Sequence, residues 1–154
     1  MTVLDRPAGA IERLQSPVRL ALVLAGFTLL TFLFFRPWLS HLSSALIGPP
    51  EDNMQDFWNS WHAAGAQSWK DLLFTRHIRF PEGTSLAYHS FAWPQVAAVA
   101  LLSRLLGGDF ATIVALHNLT LLASFPLAAA AMFYLARHVL GDVPGRDLGA
   151  AIAA

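Results

Sequence analysis

One apolar run constrains this chain more than any other feature. Residues 18–35 carry a single charged side chain, that of Arg19, and their helix would rise about 27 Å, close to the hydrocarbon thickness of a bilayer. Arg19 stands at the start of the run, where its long aliphatic stem lets the guanidinium group reach the lipid headgroups. Because Pro37 then stops the helix and no small-residue cleavage site follows, the run is predicted to be a retained membrane anchor.

The charge content of the whole chain supports the same interpretation. Only 13% of its 154 residues are charged, whereas a soluble domain carries about 25%. The formal net charge is +0, so the chain lacks the basic excess with which proteins neutralise nucleic-acid phosphates. There is no cysteine, which excludes disulfides, thiolate catalysis and cysteine-ligated metal centres. A lipid bilayer is therefore the predicted partner, and nucleic acid is not.

Two further apolar runs, residues 91–106 and 110–135, are predicted to be transmembrane helices 2 and 3. The second of these contains His117 and Asn118, and polar groups at such depth normally face protein rather than lipid. Hydrogen bonds between helices are the favoured role for this pair. A catalytic role, or a place in a transport path, is the alternative.

These runs and the polar stretches between them divide the chain into five predicted segments. In order, they are a cytoplasmic tail (1–17), transmembrane helix 1 (18–36), an external loop (37–90), transmembrane helices 2 and 3 (91–136) and a connector with the start of a fourth span (137–154). The predicted fold class is all-α, with polytopic transmembrane helices. Because a new apolar run is only beginning where the sequence stops, the chain is expected to be a fragment of a larger membrane protein.

The orientation in the membrane is predicted from the basic residues. Arg6, Arg13 and Arg19 precede or open the first helix, and this favours a cytoplasmic amino terminus. Three successive spans would then place Arg137 and Arg146 outside, although basic residues favour the cytoplasmic side.

The external loop contains a segment with helical periodicity. Between residues 56 and 74, aromatic and small residues recur at helical spacing, and Trp58, Trp61 and Trp69 fall near one face. This pattern predicts an amphipathic helix that lies in the membrane interface. Packing against the core of the protein is the alternative, and the two are compatible.

The densest group of chemically capable residues is the acidic stretch Glu51-Asp52-Asn53-Met54-Gln55-Asp56, just before that helix. One carboxylate could accept a proton from an acceptor hydroxyl. Alternatively, Glu51 and Asp52 could hold a divalent metal ion that neutralises a phosphate leaving group. The simpler interpretation is a solvated turn in which Asp52 or Asp56 caps the helix that follows.

Three motifs give the chain a resemblance to a known family. They are Glu51-Asp52-Asn53, then Phe57-Trp58-Asn59 with Trp61, and Phe80-Pro81-Glu82-Gly83-Thr84-Ser85-Leu86 followed by His89. Over residues 18–140 the chain resembles the amino-terminal part of GT-C-type polytopic glycosyltransferases. These are the bacterial membrane relatives of protein mannosyltransferases and lipid A sugar transferases.

The resemblance implies a truncated GT-C-like fold in the bacterial plasma membrane. It also implies transfer of a hexosyl or pentosyl group from a polyprenyl-phosphate-linked donor to an external acceptor. The family's loop carboxylate maps to Asp52, with Glu51 beside it as a second catalytic group and potential metal ligand. The residues implied in substrate binding are Asp56, Trp58, Asn59, Trp61 and His89.

The chain departs from the family pattern at the acidic motif. Many relatives have glycine where this chain has Glu51, and Asp56 is a second candidate for the essential carboxylate. A small non-catalytic membrane subunit or assembly factor is the main alternative to an enzyme. A piece of a transporter, with His117 and Asn118 in its path, is a third.

Overall fold

The computed structural model describes residues 10–87, 89–141 and 146–153. They are mostly helical, which confirms the all-α prediction in its coarse form. The helices are α1 (Ala10–Phe34), α2 (Pro50–Gly65), α3 (Trp69–Leu73), α4 (Trp93–Leu106), α5 (Phe110–Leu140) and α6 (Arg146–Ala153). A 3-10 helix (Arg36–His41) follows α1, and the short strands β1 (Phe74–Thr75) and β2 (Thr84–Ser85) pair in antiparallel register.

The chain forms two compact units. The terminal unit comprises Met1–Arg36 and Ala123–Ala154, and the central unit comprises Pro37–Leu122. Helix α5 contributes its first part to the central unit and its second part to the terminal unit.

Within the terminal unit, α1 and the second part of α5 run antiparallel. At one end, the ring of Phe35, just beyond α1, contacts the ring of Phe125 with centroids 5.2 Å apart. At the other end, Asp147 of α6 lies 2.8 Å from Nε of Arg137 and 3.8 Å from Nη2 of Arg19. Arg19, in the first half of α1, is therefore close to Arg137, near the end of α5, and both arginines lie on the side of the unit opposite the Phe35–Phe125 contact.

Of the described residues, those of α5 form the one helix that is both long and apolar enough to cross a bilayer. Only 28% of its most apolar 18-residue window is buried, so most of that surface is left for another apolar environment. The apolar part of α1, Val18–Phe34, is slightly shorter, and it also exposes most of its leucines.

The structure does not support a full span by α4. Its 14 residues rise about 21 Å, which is short of the roughly 30 Å hydrocarbon core. Instead α4 packs along α2 in the central unit. Of the three predicted spans, therefore, α5 alone among the described helices has the length and composition to cross a membrane, whereas Val18–Phe34 of α1 and α4 are shorter apolar helices.

The core of the central unit is formed where α2, α4 and the first part of α5 meet. Its buried members are Phe57 of α2, Val99 of α4, and Ile113, Val114 and Leu116 of α5. Helix α2 thus has the protein-packed face that was the alternative to an interfacial helix.

The predicted helix over residues 56–74 is wrong at both ends. Helix α2 begins at Pro50, because proline at the first helical position has a suitable φ and needs no N–H partner. It ends at Gly65, and Ser68 then starts the separate helix α3 by accepting a hydrogen bond from the Asp71 N–H at 3.2 Å. Trp69 consequently lies on a different helix from Trp58 and Trp61.

The same correction moves the acidic stretch into α2. Asp52 lies in the first turn and Asp56 farther along, and the N-cap is Pro49, with no side-chain cap. The interpretation of Asp52 or Asp56 as the helix cap is therefore also wrong.

Residues 80–82 form a turn in the connection between β1 and β2. Gly83 has a φ of +78°, and a Cβ there would lie 2.7 Å from the carbonyl oxygen of Thr75. Only glycine satisfies both conditions without a backbone shift.

The absence of cysteine allows the membrane orientation of the terminal unit to be tested directly. Single cysteines would replace Val18, Phe34 and Val139, whose side chains are all exposed. Because α1 and α5 are antiparallel, we expect a membrane-impermeant maleimide to label Phe34→Cys in intact cells. We expect it to label Val18→Cys and Val139→Cys only after the cells are opened. Labelling of Val139→Cys but not Val18→Cys in intact cells would contradict this arrangement.

Candidate functional site

Two adjacent polar residues of α5 are buried in the central unit. His117 is 1% exposed, and its Nε2 lies 3.2 Å from Asn53 Oδ1 of α2. Its Nδ1 lies 3.3 Å from Ser60 Oγ and 3.3 Å from Gln95 Nε2. A neutral imidazole that donates through Nε2–H and accepts at Nδ1 satisfies this set. His117 therefore makes the inter-helix contacts that its position in an apolar run predicted.

Asn118, which is completely buried, holds the segment between the 3-10 helix and α2. Its Oδ1 accepts a hydrogen bond from the Ile47 N–H at 3.0 Å. Its Nδ2 donates to the carbonyl oxygens of Leu42 at 2.8 Å and Ala45 at 2.7 Å. Because buried backbone groups need partners, this one amide fixes the path of the chain into α2.

Asn53 joins these two systems at the start of α2. Its Nδ2 donates to the Ile47 carbonyl oxygen at 3.0 Å, and its Oδ1 accepts from His117. Both ends of the side chain are thus held, and the first turn of α2 is attached to α5 through them.

The predicted catalytic residues flank that anchor. Glu51 and Asp52 are exposed, and neither has a hydrogen bond or an ion pair with any residue that the structure describes. Asp56 is half-buried one turn farther along. Because side chains at adjacent helical positions point in different directions, Glu51 and Asp52 do not converge as a chelating pair. The described residues contain no cluster of three histidine or acidic side chains suited to a metal ion.

The predicted substrate-binding residues of the middle of α2 have structural contacts. Asn59 is completely buried and donates from Nδ2 to the Ser90 carbonyl oxygen at 2.9 Å. Its Oδ1 accepts a hydrogen bond from His89 Nε2 at 2.8 Å. The ring of Trp58 stacks on that of His62 and meets His89 edge-on. These contacts tie the segment before α4 to α2, and a substrate role for them stays a prediction.

A cavity of about 580 Å³ opens at the other end of α2. We call it the polar cavity. Its lining includes Trp61, His62, Asp71, Arg76, His77 and Arg104. The rings of Trp61 and His77 are in contact, with centroids 5.4 Å apart. Of the predicted site residues, only Trp61 lines this cavity. The polar cavity is therefore separate from Glu51 and Asp52.

The sequence analysis missed the arginines of the polar cavity. Arg104 lies inside the apolar run 91–106 and Arg76 in the predicted external loop, and neither was predicted to be a site residue. They come together because α4 folds back along α2 and the β1 segment follows α3. The sequence did contain a signal for Arg104, since a charged residue inside a run too short to span a bilayer indicates a helix that packs on protein.

Comparison with protein-family models, curated proteins and solved structures finds no match to this chain.

The Asn118 amide can be tested through stability. Asn118→Leu removes three hydrogen bonds and leaves the Ile47 N–H and two carbonyl groups unpaired. We expect a loss of about 3 kcal/mol in the free energy of unfolding. Unfolding of the purified protein in SDS would measure it. The control Gln55→Leu changes an exposed amide on α2 and should stay within about 0.5 kcal/mol of the wild type. Equal effects of the two substitutions would contradict the role of Asn118.

His62 gives a pH dependence with a defined sign. Burial lowers the pKa of His62 below its ordinary value, and the backbone of Asp71 and Leu72 only partly offsets this. The unfolded chain therefore binds the proton more readily, so stability falls as the pH drops below about 6.5. We expect His62→Phe, which keeps an aromatic ring against Trp58, to reduce the loss of stability between pH 7 and pH 5. An unchanged pH dependence in unfolding experiments would contradict this assignment.

Proposed function

We propose that this chain is part of an integral membrane glycosyltransferase of the GT-C type, with Asp52 as its catalytic carboxylate. In this proposal the enzyme transfers a sugar from a polyprenyl-phosphate-linked donor to an acceptor outside the cytoplasm. The observation that carries the proposal is the setting of Asp52: an exposed carboxylate, free of protein partners among the described residues, on a firmly anchored helical turn.

The helical turn that carries Asp52 is anchored through the neighbouring residue. The next residue, Asn53, is hydrogen-bonded to the Ile47 carbonyl oxygen and to His117. Ile47 is itself held by Asn118. A general base must be accessible to its substrate, and its supporting residues must not move. Both conditions are met at Asp52.

The geometry favours proton transfer over metal binding as the role of this carboxylate. Glu51 is adjacent in sequence, but its side chain leaves the helix in a different direction, and Asp56 is half-buried a turn away. A divalent metal ion would need further ligands from a substrate phosphate or from water. In the proposal, Asp52 accepts the proton of the acceptor hydroxyl as the acceptor oxygen bonds to the anomeric carbon of the sugar, and the bond from that carbon to the phosphate oxygen breaks, which releases the polyprenyl phosphate.

The terminal unit supports a place in the membrane. Both α1 and α5 expose large apolar side chains, which a bilayer would cover. Arg19 and Arg137 lie at the same end of this unit, and Asp147 is close to both. A cytoplasmic position for that end agrees with the rule for basic residues and removes the conflict that three successive spans created. The proposed location is a bacterial plasma membrane with a cytoplasmic amino terminus.

A non-catalytic membrane subunit is the second candidate. It is favoured by the middle of α2, where the polar atoms of Asn59 and the Nε2 of His89 are already used within the protein. Substitution of Asp52 separates the two candidates, because the subunit interpretation gives this exposed carboxylate no chemical task.

Asp52→Asn should abolish sugar transfer and leave folding intact. Loss of a positioned proton acceptor typically costs about 100-fold or more in rate, whereas an exposed, unpaired side chain contributes little stability. The measurement is transfer of a radiolabelled sugar from a polyprenyl-phosphate donor by membranes that contain the intact protein. Expression and membrane insertion would be checked in parallel.

Asp56→Asn is the matched control, since it neutralises a carboxylate one turn away on the same helix. It should lower the transfer rate far less than Asp52→Asn does, because a substrate contact costs less than the proton acceptor. Loss of transfer in Asp56→Asn alone would show that the wrong carboxylate has been named. Normal transfer in both variants would remove the residue-level support for the transferase.

A further inference from the structure

Arg104 of α4 lies between two cavities of opposite character. On one side is the polar cavity. On the other side is a groove of about 390 Å³, which we call the apolar groove. Its lining includes Trp69, Leu72, Trp93, Val96, Ala97 and Ala100. Arg104 and Ala66 line both. Each cavity falls within the size range of small-molecule sites, about 300–1,000 Å³.

The guanidinium group of Arg104 is held by one hydrogen bond and keeps other N–H donors for a ligand. Its Nη2 donates a hydrogen bond to the carbonyl oxygen of Ala66, just beyond α2. It forms no other hydrogen bond or ion pair with the described part of the chain. Since a guanidinium group has five N–H donors, several remain for a ligand.

The charge in the polar cavity favours an anion. Arg76 is exposed there and has no ion pair with a described residue, and Asp71 is the acidic side chain among the cavity's lining residues. The Asp71 carboxylate already accepts a hydrogen bond from Ser68 Oγ at 2.8 Å. The charged lining residues are therefore two arginines and one carboxylate, which leaves an excess of one positive charge. Arginine binds phosphate strongly because its planar donors match two oxygens at once.

The apolar groove adds a second requirement. Trp69 is 75% exposed and Trp93 is 46% exposed, so the groove has two large uncovered rings. Small apolar residues of α4, including Ala97 and Ala100, line it and leave room for a chain. A soluble anion would leave this groove empty, whereas a ligand with both a phosphate and a hydrocarbon chain would use both cavities.

We infer that the α2–α4 face binds a single-chain lipid phosphate, with the phosphate at Arg104 and Arg76 and the hydrocarbon chain in the apolar groove. Trp61 and His77 are then available to a sugar attached to the phosphate, because the C–H face of a sugar packs on such rings. The inference rests on the proposed function in one respect, since a transferase of that kind takes a polyprenyl phosphate as carrier.

This lipid-phosphate site is distinct from the proposed catalytic carboxylate. Asp52 lies in the first turn of α2 and Ala66 follows its last, so they are separated by about 20 Å along the helix. A phosphate at Arg104 is therefore out of reach of Asp52. We assign the site to holding a lipid carrier before or after the reaction.

Binding of farnesyl phosphate tests the inference directly. The intact protein would be placed in nanodiscs of phosphatidylcholine, and the quenching of tryptophan fluorescence would be titrated with farnesyl phosphate, farnesol and inorganic phosphate. We expect farnesyl phosphate to bind most tightly. Arg104→Gln or Arg76→Gln should weaken it about tenfold, as loss of a charge-assisted hydrogen bond does. The matched control Lys70→Gln neutralises a nearby exposed cation that lines neither cavity, and should change nothing.

A second pair of variants tests the groove. Ala97→Phe fills it and should weaken farnesyl phosphate without affecting inorganic phosphate. Ala111→Phe, at an exposed position of α5 outside both cavities, is its control. Because Arg104 also contacts the Ala66 carbonyl group, Arg76→Gln carries the test if Arg104→Gln fails to fold.

Three results would overturn the inference. The first is equal weakening by Lys70→Gln and Arg76→Gln, which would indicate non-specific attraction to basic residues. The second is inorganic phosphate binding as tightly as farnesyl phosphate. The third is loss of binding in Asp52→Asn with full binding in Arg104→Gln and Arg76→Gln, which would move the phosphate to Asp52 and leave the transferase proposal standing.

Conversely, binding as expected together with full transfer by Asp52→Asn would retain the lipid site and remove the catalytic proposal.

Discussion

The central unit depends on the hydrogen bonds of two neighbouring polar residues in an otherwise apolar helix. His117 and Asn118 are buried in α5, where a polar group without a partner costs on the order of several kcal/mol. That cost requires α2, α4 and the segment before α2 to lie where they can supply donors and acceptors. Apolar packing around Phe57 and Val99 would tolerate sliding, but these directional bonds do not.

This constraint divides α2 into three regions with different tasks. Its first turn is attached through Asn53 and presents Asp52 and Glu51 to solvent. Its middle uses Asn59 to hold the segment that leads into α4. Its last turn borders the polar cavity. Proposed chemistry and proposed lipid binding thus lie at opposite ends of one rigid element, which keeps their spacing constant.

The terminal unit follows a different physical rule. Its helices expose apolar side chains along their length and keep charge at one end, where Asp147 lies between Arg19 and Arg137. Such a distribution suits a helix pair surrounded by hydrocarbon, with its ion pairs at the headgroups. Helix α5 continues beyond the predicted 110–135 to Leu140, and Arg137 and His138 in its last turn complement the negative end of the helix dipole.

Several features of the fold depend on local composition and could be predicted from the residues alone. Hydropathy predicted the end of α1, the start of α5 and both ends of α4 to within two residues, whereas α1 begins earlier, at Ala10, and α5 ends later, at Leu140. It also directed attention to Asp52 and to the buried pair in α5. Each of these follows from residues that are neighbours along the chain, where propensity and periodicity apply.

The partners of these elements, in contrast, follow from the way the chain folds. Asn118 bonds residues more than 70 positions away, and Arg104 meets Ala66 from 38 positions away. No periodicity encodes such partners. It was likewise packing on α2 that made α4 a helix of the central unit rather than a span, and the antiparallel pairing of α1 with α5 that brought Arg19 and Arg137 to one end. Hydropathy gives the environment that a segment prefers, whereas the partner of a buried polar group is chosen by the three-dimensional path of the chain.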